Sequence, residues 1–257
     1  MEEQIKQAAS ILAGVRTLVV LSGAGVSKES GIPTFREAQT GLWARYDPQE
    51  LATPAAFRRD PRLVWEWYEY RRELVARSRP NPGHRALAEL ERAIPHVIVL
   101  TQNIDGLHQA AGSSDVVELH GNIRRSKCFS DCHGEPTPVN VMALPDREAT
   151  PPRCPYCGDH IRPDVVWFGE SLPKDALGRA MRASAEGEVM LVVGTSGVVY
   201  PAAALPQLAK EAGNRVIEVN PEASGITPLA DIFLPGPAGQ VLPHLLAALA
   251  RENRDDR

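Results

Sequence analysis

The sequence of 257 residues has no long apolar run, and its apolar stretches are short and interrupted. A membrane-spanning helix needs about 20 consecutive apolar residues, so none is predicted. Basic residues are not in excess either, because 28 Lys and Arg stand against 32 Asp and Glu, giving a formal charge of −4. A mildly acidic chain offers little to a phosphate backbone. We therefore expect neither direct nucleic-acid binding nor membrane association.

Residues 1–16 lack the pattern of an export signal. They begin with Glu2 and Glu3 and carry apolar side chains at helical spacing, among them Ile5, Ala8 and Leu12. A signal peptide has a basic start and an unbroken apolar run instead. We expect a cytoplasmic protein that is a monomer or a weak oligomer.

Cysteine is scarce, and the four cysteines fall into two tight pairs, Cys128 with Cys132 and Cys154 with Cys157. Disulfides are rare in chains without an export signal, so metal binding is the better interpretation. Four thiolates complete a tetrahedral zinc shell with no position for water, which predicts a structural zinc site. Three residues separate Cys128 from Cys132, whereas two separate Cys154 from Cys157. Because of this longer spacing, His133 stays open as a replacement for Cys132 in the metal site. The alternative to a metal site is a degraded site with free thiols.

Short runs rich in Val, Leu and Ile recur along the chain, each followed by Gly, Asn or Ser and then by a helical pattern. The predicted strands are 17–21, 97–100, 190–193, 216–219 and 232–234. This rhythm is typical of a parallel sheet with helical crossovers. The sequence predicts an α/β fold, in which a Rossmann-like parallel sheet has helices on both faces and a smaller lobe combines a helical insertion with a zinc-binding module.

Two stretches interrupt the βα rhythm. The first contains a helical pattern opened by Asp60 and Pro61, which suit a helix N-terminus, and the second contains many prolines and both cysteine pairs. We assign the whole chain, 1–257, to one catalytic domain. Its predicted parts are a Rossmann-like lobe at 1–36, 81–121 and 165–257, a helical insertion at 37–80 and a zinc-binding module at 122–164.

A glycine-rich turn follows the first predicted strand. It contains Gly23, Ala24, Gly25 and Ser27, in a place where Rossmann-type folds hold a pyrophosphate on backbone N–H groups. The pattern departs from G-x-G-x-x-G because Lys28 stands at the third glycine position. A glycine pair alone is a weak signal, so a purely structural turn stays open at this point.

Further motifs follow in order along the chain. They are Gly31-Ile32-Pro33-Thr34-Phe35-Arg36, Thr101-Gln102-Asn103-Ile104-Asp105, Leu119-His120-Gly121, Gly194-Thr195-Ser196 and Val219-Asn220. With these motifs the sequence resembles the sirtuins, the family of NAD-dependent protein lysine deacylases, over nearly its whole length. Several of the motifs end a predicted strand, at the edge where open α/β sheets bind ligands.

The resemblance implies a set of NAD-binding residues. They are Gly23, Ala24, Gly25, Ser27, Thr34, Phe35, Arg36, Gln102, Asn103, Ile104, Asp105, Gly194, Thr195, Ser196, Asn220 and Ala238. Asn103 and Asp105 would hold the nicotinamide amide, and Asp105 could also cap a helix that begins at Gly106. Gly194, Thr195, Ser196 and Asn220 would bind the ribose and phosphates on the adenosine side, and Ala238 would approach the adenine.

His120 is the expected general base, because an imidazole titrates near neutral pH and can accept a proton from a ribose hydroxyl. The resemblance implies that the acyl-lysine oxygen attacks the nicotinamide ribose, nicotinamide leaves, and NAD is consumed. The products are nicotinamide, 2'-O-acyl-ADP-ribose and free lysine. We interpret the remaining histidines as ordinary residues: His84, His96, His108, His133, His160 and His244.

The predicted helix of the insertion carries Tyr68 and Arg71, three residues apart and on one face. A hydroxyl together with a planar guanidinium suits a carboxylate. By spacing alone, however, such a pair usually lies on the protein surface and has no function. The pair matches the Tyr-x-x-Arg motif of class III sirtuins, which implies a preference for succinyl-, malonyl- and glutaryl-lysine with weaker deacetylation. A plain deacetylase, in which the pair plays no part, is the alternative.

The segment 163–170 resembles the strand that pairs with an extended substrate peptide in this family. Val166, Phe168, Gly169 and Glu170 would contact the acylated-lysine protein or peptide, largely through the main chain. A plain core strand is the alternative for this segment. Rivals of another class are a Rossmann dehydrogenase, which leaves the cysteine pairs unexplained, an NAD- or ADP-ribose-binding module, and an ADP-ribosyltransferase.

Overall fold

A computed structural model describes residues 1–34, 46–145 and 149–255. The chain divides into two compact units. The large unit comprises Met1–Ile32, Arg79–Leu119 and Leu172–Arg257, and the small unit comprises Pro33–Ser78 and His120–Ser171. The small unit thus includes residues 165–171, which the sequence analysis placed in the Rossmann-like lobe.

Strands and helices alternate through most of the described chain. The strands are β1 (Thr17–Ser22), β2 (His96–Thr101), β3 (Val116–Glu118), β4 (Gly121–Cys128), β5 (Ile161–Val165), β6 (Val189–Val193), β7 (Arg215–Asn220) and β8 (Ile232–Pro235). The α-helices are α1 (Glu2–Leu12), α2 (Gly25–Lys28), α3 (Pro48–Leu51), α4 (Pro54–Arg59), α5 (Pro61–Arg77), α6 (Pro82–Leu90), α7 (Leu107–Ala111), α8 (Lys174–Glu186), α9 (Leu205–Glu211) and α10 (Ala238–Asp255). Short 3-10 turns occur at Val141–Ala143, Ala202–Ala204 and Thr227–Leu229.

The large unit is built on a parallel sheet with the strand order β3-β2-β1-β6-β7-β8. All five predicted strands lie in this sheet, and the predicted α/β fold class is confirmed. β1 lies between β2 and β6 and is buried almost throughout, as expected for a strand covered on both faces. β3 was not predicted, because its three residues are too short to show a period.

Helices cover both faces of the sheet. Side chains alternate along each strand, so Leu18 and Val20 of β1 share one face and pack in the core that α1, α6 and α10 complete. Val19 and Leu21 point the other way and are also buried. On that face α8 packs against α9, and α9 contacts β6 and β7. Burial on both sides explains why these strands are nearly continuous in Val, Leu and Ile.

The small unit contains the helical insertion and a two-stranded antiparallel sheet of β4 and β5. Helix α5 begins where predicted, since the Asp60 Oδ1 atom accepts a hydrogen bond of 2.9 Å from Leu63 N. The Rossmann-like lobe was predicted to resume at residue 165, but the next strand of the parallel sheet after β3 begins only at Val189. A central strand that is buried on both faces suits neither the charged Arg162 nor Pro163, which has no backbone N–H to donate.

Within the described ranges, no helix combines the length and apolar character that crossing a membrane requires.

Candidate active site and metal centre

The loops that follow β1 and β6 lie against each other at the carboxyl edge of the parallel sheet. Gly25 N donates to Gly194 O over 2.8 Å. A Cβ atom on Gly23 would lie 2.7 Å from the Thr195 Cβ atom, and one on Gly194, whose φ is +60°, would overlap the Val26 backbone. Glycine is therefore required where these backbones meet. The two loops lie at the edge where open α/β sheets bind phosphates.

A buried polar cluster stands beside these loops, at the end of β2. The Asn103 amide nitrogen donates to Gly23 O and to Ser27 Oγ, each over 3.1 Å. Ser27 Oγ in turn donates to Asp105 Oδ2 over 2.7 Å. The other carboxylate oxygen of Asp105 accepts from Leu107 N over 2.8 Å, at the start of α7. Asp105 thus serves the helix terminus and the cluster at once.

Asn220, at the end of β7, is oriented by two acceptors. Its Nδ2 atom donates to Thr195 O over 2.8 Å and to the Glu218 carboxylate over 3.2 Å. Since neither partner can donate, the amide nitrogen must face them and the Oδ1 atom must face the opposite side. Glu218 is fully buried and also accepts from Ser224 and Thr227. The Asn220 side-chain amide is therefore held in one orientation by the backbone of Thr195 and the buried Glu218 carboxylate.

In the small unit, His120 occupies a half-buried turn immediately before β4, and its carbonyl accepts from Val166 N over 2.9 Å. The next residue, Gly121, has φ of +77°, and a Cβ atom there would overlap the carbonyl of Asp164 on β5. A side chain at position 121 would push the strands apart. The glycine of the His-Gly pair therefore fixes the backbone that carries the imidazole.

Tyr68 and Arg71 on α5 are both buried, with 1% and 7% of their surface exposed, so they are not surface decoration. The Tyr68 hydroxyl accepts from Trp167 Nε1 over 2.9 Å. The Arg71 guanidinium lies over the Trp67 ring, 5.2 Å from its centroid. Burial raises the pKa of Tyr68 to about 12, and the Arg71 charge partly offsets this rise. A phenol and a buried cation thus share one side of α5.

The chain leaves β5 at Val165 and turns through the residues predicted to pair with a peptide. Phe168 N donates to Ala52 O over 2.9 Å, and its ring is 42% exposed. The Glu170 carboxylate accepts from Trp167 N and from the buried Arg162 guanidinium. Residues 166–170 therefore form a turn held by Glu170, rather than the continuation of a strand.

The four cysteines come together in the small unit, with all Sγ atoms within 4.8 Å of one another. The Sγ distance is 3.6 Å from Cys128 to Cys157 and 3.8 Å from Cys132 to Cys154. Zn–S bonds of about 2.3 Å in a tetrahedron place the sulfurs about 3.8 Å apart, whereas a disulfide bond is about 2.05 Å long. The residues fit a structural zinc ion, and Cys132 is the fourth member of the cluster.

Cys128 and Cys132 are separated by one residue more than Cys154 and Cys157 are, and Asp131 makes the turn that accommodates this residue. Its φ of +45° is left-handed, a conformation that Asp tolerates better than most residues. The Asp131 carboxylate accepts from Thr137 N and pairs with Lys127, each over 3.0 Å. The His133 Nδ1 atom lies 3.3 Å from Cys132 Sγ, where it can hydrogen-bond a thiolate. His133 thus lies beside the cluster, whose fourth sulfur is that of Cys132.

Comparison with known proteins agrees with this arrangement. The family model described as the Sir2 family matches residues 23–201. The chain belongs to the Sir2 family. A Sir2 relative from Pyrobaculum aerophilum, named NAD-dependent protein deacylase 2, is 54% identical over 246 residues, covering 96% of each chain.

Two solved Sir2 structures are also similar. A Sir2 homolog–NAD complex has a TM-score of 0.87 and 46% identity, covering 96% of this chain and 94% of its own. Sir2Af2 bound to a myristoylated histone peptide has a TM-score of 0.77 and 38% identity, with each chain covered completely. The fold and the motif order are therefore those of Sir2 proteins.

The structure groups many of the predicted NAD-binding residues at one edge of the large unit. Gln102 reaches Thr195 through a side-chain hydrogen bond of 3.0 Å, and Ser196 O accepts from Gly225 N. Ala24 precedes α2, and Ala238 is the first residue of α10. Ile104 is half-buried within the loop after β2, and Thr34 is the last residue described before position 46. Phe35 and Arg36 lie outside the described residues.

Sequence reasoning missed a buried network behind these Sir2 loops. Ser22 Oγ donates to Thr101 Oγ1 over 2.9 Å and lies 2.8 Å from His108 Nε2. The rings of His84 and His108 contact each other at a tilt of 59°, with centroids 5.0 Å apart. Burial lowers the pKa of His84 to about 4 and, with the neighbouring His84, that of His108 to about 3. Polar residues that end buried strands, Ser22 and Thr101, were the available signal.

This network predicts a loss of stability in mild acid. An unfolded histidine takes up a proton near pH 6.5, whereas the folded rings resist protonation, so their stabilising contribution is complete above about pH 6.5 and falls as pH decreases. When the pH is lowered from about 7.5 to about 5, we expect the free energy of unfolding to decrease by about 2 kcal/mol for each of the two rings. Urea unfolding followed by circular dichroism measures this. H108Q should reduce the loss and the exposed-site control H96Q should not; an unchanged loss in H108Q would contradict the prediction.

Proposed function

We propose that this Sir2 chain is an NAD-dependent protein-lysine deacylase that prefers acyl groups ending in a carboxylate, such as succinyl and malonyl, and removes acetyl groups more slowly. The observation that carries the acyl preference is the burial of the Arg71 guanidinium beside the Tyr68 hydroxyl. A guanidinium and a hydroxyl can both donate hydrogen bonds, and a carboxylate, which only accepts, is the acyl end group that can take both. An acetyl group offers these donors nothing but a methyl.

The large unit supports the assignment of NAD as co-substrate. The relative from Pyrobaculum aerophilum is named for NAD-dependent deacylation, and a similar solved structure is an NAD complex. The glycine loops can offer main-chain donors to a pyrophosphate, and the fixed Asn220 amide can offer its Oδ1 atom to a ribose hydroxyl. Asn103 and Asp105 supply an amide and a carboxylate for the nicotinamide carboxamide. NAD supplies a ribose carbon that accepts the acyl oxygen once nicotinamide departs.

The small unit supplies the proposed base and the peptide-contacting residues. His120 accepts the proton of a ribose hydroxyl, which makes that oxygen nucleophilic toward the acyl carbon. The exposed Phe168 and the backbone of Val166 and Gly169 contact the substrate peptide, while Glu170 holds their turn through Arg162. One similar structure holds a myristoylated histone peptide, which supports an acylated peptide as the substrate class.

The substitution R71M tests the acyl preference. Removing two charge-assisted hydrogen bonds should lower kcat/KM for a succinyl-lysine peptide about 100-fold and leave an acetyl-lysine peptide of the same sequence within about threefold. Mass spectrometry of the peptide and of the acylated ADP-ribose measures both rates.

The neighbouring Arg72 provides a matched control. Its guanidinium donates to Ile123 O and to Ser126 Oγ, so it holds β4 to α5. R72M should lower both rates in parallel if it lowers either. Equal losses of both activities in R71M would remove Arg71 from the acyl pocket, and a wild-type protein that prefers acetyl-lysine would leave a plain deacetylase.

A further inference from the structure

The direction of the Tyr68 hydroxyl proton is limited by what surrounds the oxygen. The Trp167 indole nitrogen can only donate, so Tyr68 Oη must be the acceptor in their 2.9 Å hydrogen bond. The nearby Arg71 guanidinium also has no acceptor atom. The phenolic proton is therefore turned away from both of these neighbours and can be donated to a third group. A carboxylate, which only accepts, is the chemical complement of this arrangement.

Trp167 is itself held firmly in the small unit. The Arg162 guanidinium stacks 3.3 Å from the centroid of its ring, and Phe57 packs on it at 5.2 Å. The Glu170 carboxylate binds both the Arg162 guanidinium and the Trp167 backbone N–H. Trp167 and Arg162 are almost completely buried. The ring has little freedom to rotate, so its N–H points at Tyr68 before any substrate arrives.

We propose that Trp167 is a positioning residue for acyl selectivity, whose indole N–H holds the Tyr68 hydroxyl as a hydrogen-bond donor toward the carboxylate of an acidic acyl-lysine. Without this N–H, the hydroxyl could present either its proton or a lone pair, and a lone pair would repel a carboxylate. An acetyl group makes no use of the hydroxyl, so its removal does not depend on Trp167 Nε1. This inference rests on the proposed function and adds a residue to the acyl-recognition machinery.

The substitution W167F removes the N–H and keeps an aromatic ring beneath Arg162. We expect kcat/KM for the succinyl-lysine peptide to fall roughly five- to tenfold, as for the loss of one hydrogen bond, mostly through KM. The rate on the acetyl-lysine peptide should stay within about twofold, because no other contact of the acyl group changes. Equal losses on both peptides would reduce Trp167 to a packing residue and overturn the inference.

A double-mutant cycle separates positioning from packing. If Trp167 acts through the Tyr68 hydroxyl, W167F should have no further effect on desuccinylation in a Y68F background. Additive losses would overturn the inference. R71M provides the independent reference. If R71M loses desuccinylation selectively while the effects of W167F and Y68F are additive, only the role of Trp167 is overturned. If R71M loses desuccinylation and deacetylation equally, the proposed acyl preference itself is overturned.

A measurement on the wild-type side chain covers the case in which W167F does not fold. With ¹⁵N-labelled indole, the Trp167 N–H resonance should be that of a hydrogen-bonded indole, and it should move upfield in Y68F. A succinyl-lysine peptide should shift this resonance more than an acetyl-lysine peptide does. An indole resonance insensitive to Y68F would contradict the inference.

Discussion

H120A should abolish the release of acylated ADP-ribose while leaving nicotinamide exchange in place. General-base catalysis is worth about 10²- to 10⁴-fold in rate, so kcat/KM for complete deacylation should fall by that factor. In the proposed mechanism the base acts on a ribose hydroxyl after nicotinamide has departed, so the earlier, reversible step would not need it. Incorporation of labelled nicotinamide into NAD, with the acyl peptide present, should persist.

The backbone explains why this substitution tests chemistry rather than folding. The His120 carbonyl, not its ring, accepts from Val166 N, and Gly121 sets the approach of β4 to β5. An alanine keeps both features. H96A, at an exposed position, is the matched control and should retain full activity. If H120A released acylated ADP-ribose at the wild-type rate, the imidazole would not be the base. If H120A lost nicotinamide exchange together with product release, the acyl peptide or NAD would no longer bind.

The parts of the fold that carry a strong local signal could be predicted from the sequence. β1 and β6 are continuous apolar runs followed by glycines, and the contact between Gly25 and Gly194 shows why those glycines are needed. Two cysteine pairs in a chain with little cysteine predicted the metal centre. β3 carried no such signal, since Val116–Glu118 is too short for a period to appear.

The errors have a common physical origin in long-range contacts. The Rossmann-like lobe was predicted to resume at residue 165, but Arg162 of β5 is buried against Trp167 and paired with Glu170, which no periodicity reveals. His84 and His108 were interpreted as ordinary residues, and the contact of their rings across 24 positions in sequence could not be predicted. Patterns show which residues are buried, whereas the partners of buried polar groups come only from the fold.

The site residues divide in the same way. Asn103, Asp105 and Asn220 were assigned through family resemblance, and the structure adds the contacts that orient each of them. Glu218 and Trp167 were not singled out, because neither belongs to a motif that carries chemistry by itself. Each acts through a neighbour, Glu218 through Asn220 and Trp167 through Tyr68. Such supporting residues become visible only when their hydrogen-bond partners are known.

Loss of zinc should have the largest effect on stability. In zinc-finger peptides a four-ligand zinc site contributes about 10–16 kcal/mol, and the surrounding fold here should retain part of its order without the metal. We therefore expect a strong chelator to remove about one zinc per chain and to lower Tm by at least about 10 °C. Elemental analysis and a thermal melt, with and without added zinc, measure both quantities. A metal-free protein with an unchanged Tm would contradict the structural role.

Variants of the two adjacent residues test which of them is the ligand. Cys132 Sγ lies 3.8 Å from Cys154 Sγ, as a shared tetrahedral metal requires, whereas His133 contacts Cys132 and stacks on Tyr156. C132S should lose zinc and melt early, and H133A should keep one zinc per chain with Tm within about 3 °C of the wild type, as expected when a change costs no more than about 1 kcal/mol. Zinc retained in C132S but lost in H133A would move the fourth ligand to His133. In that case the left-handed turn at Asp131 would serve to present the imidazole instead of the thiolate.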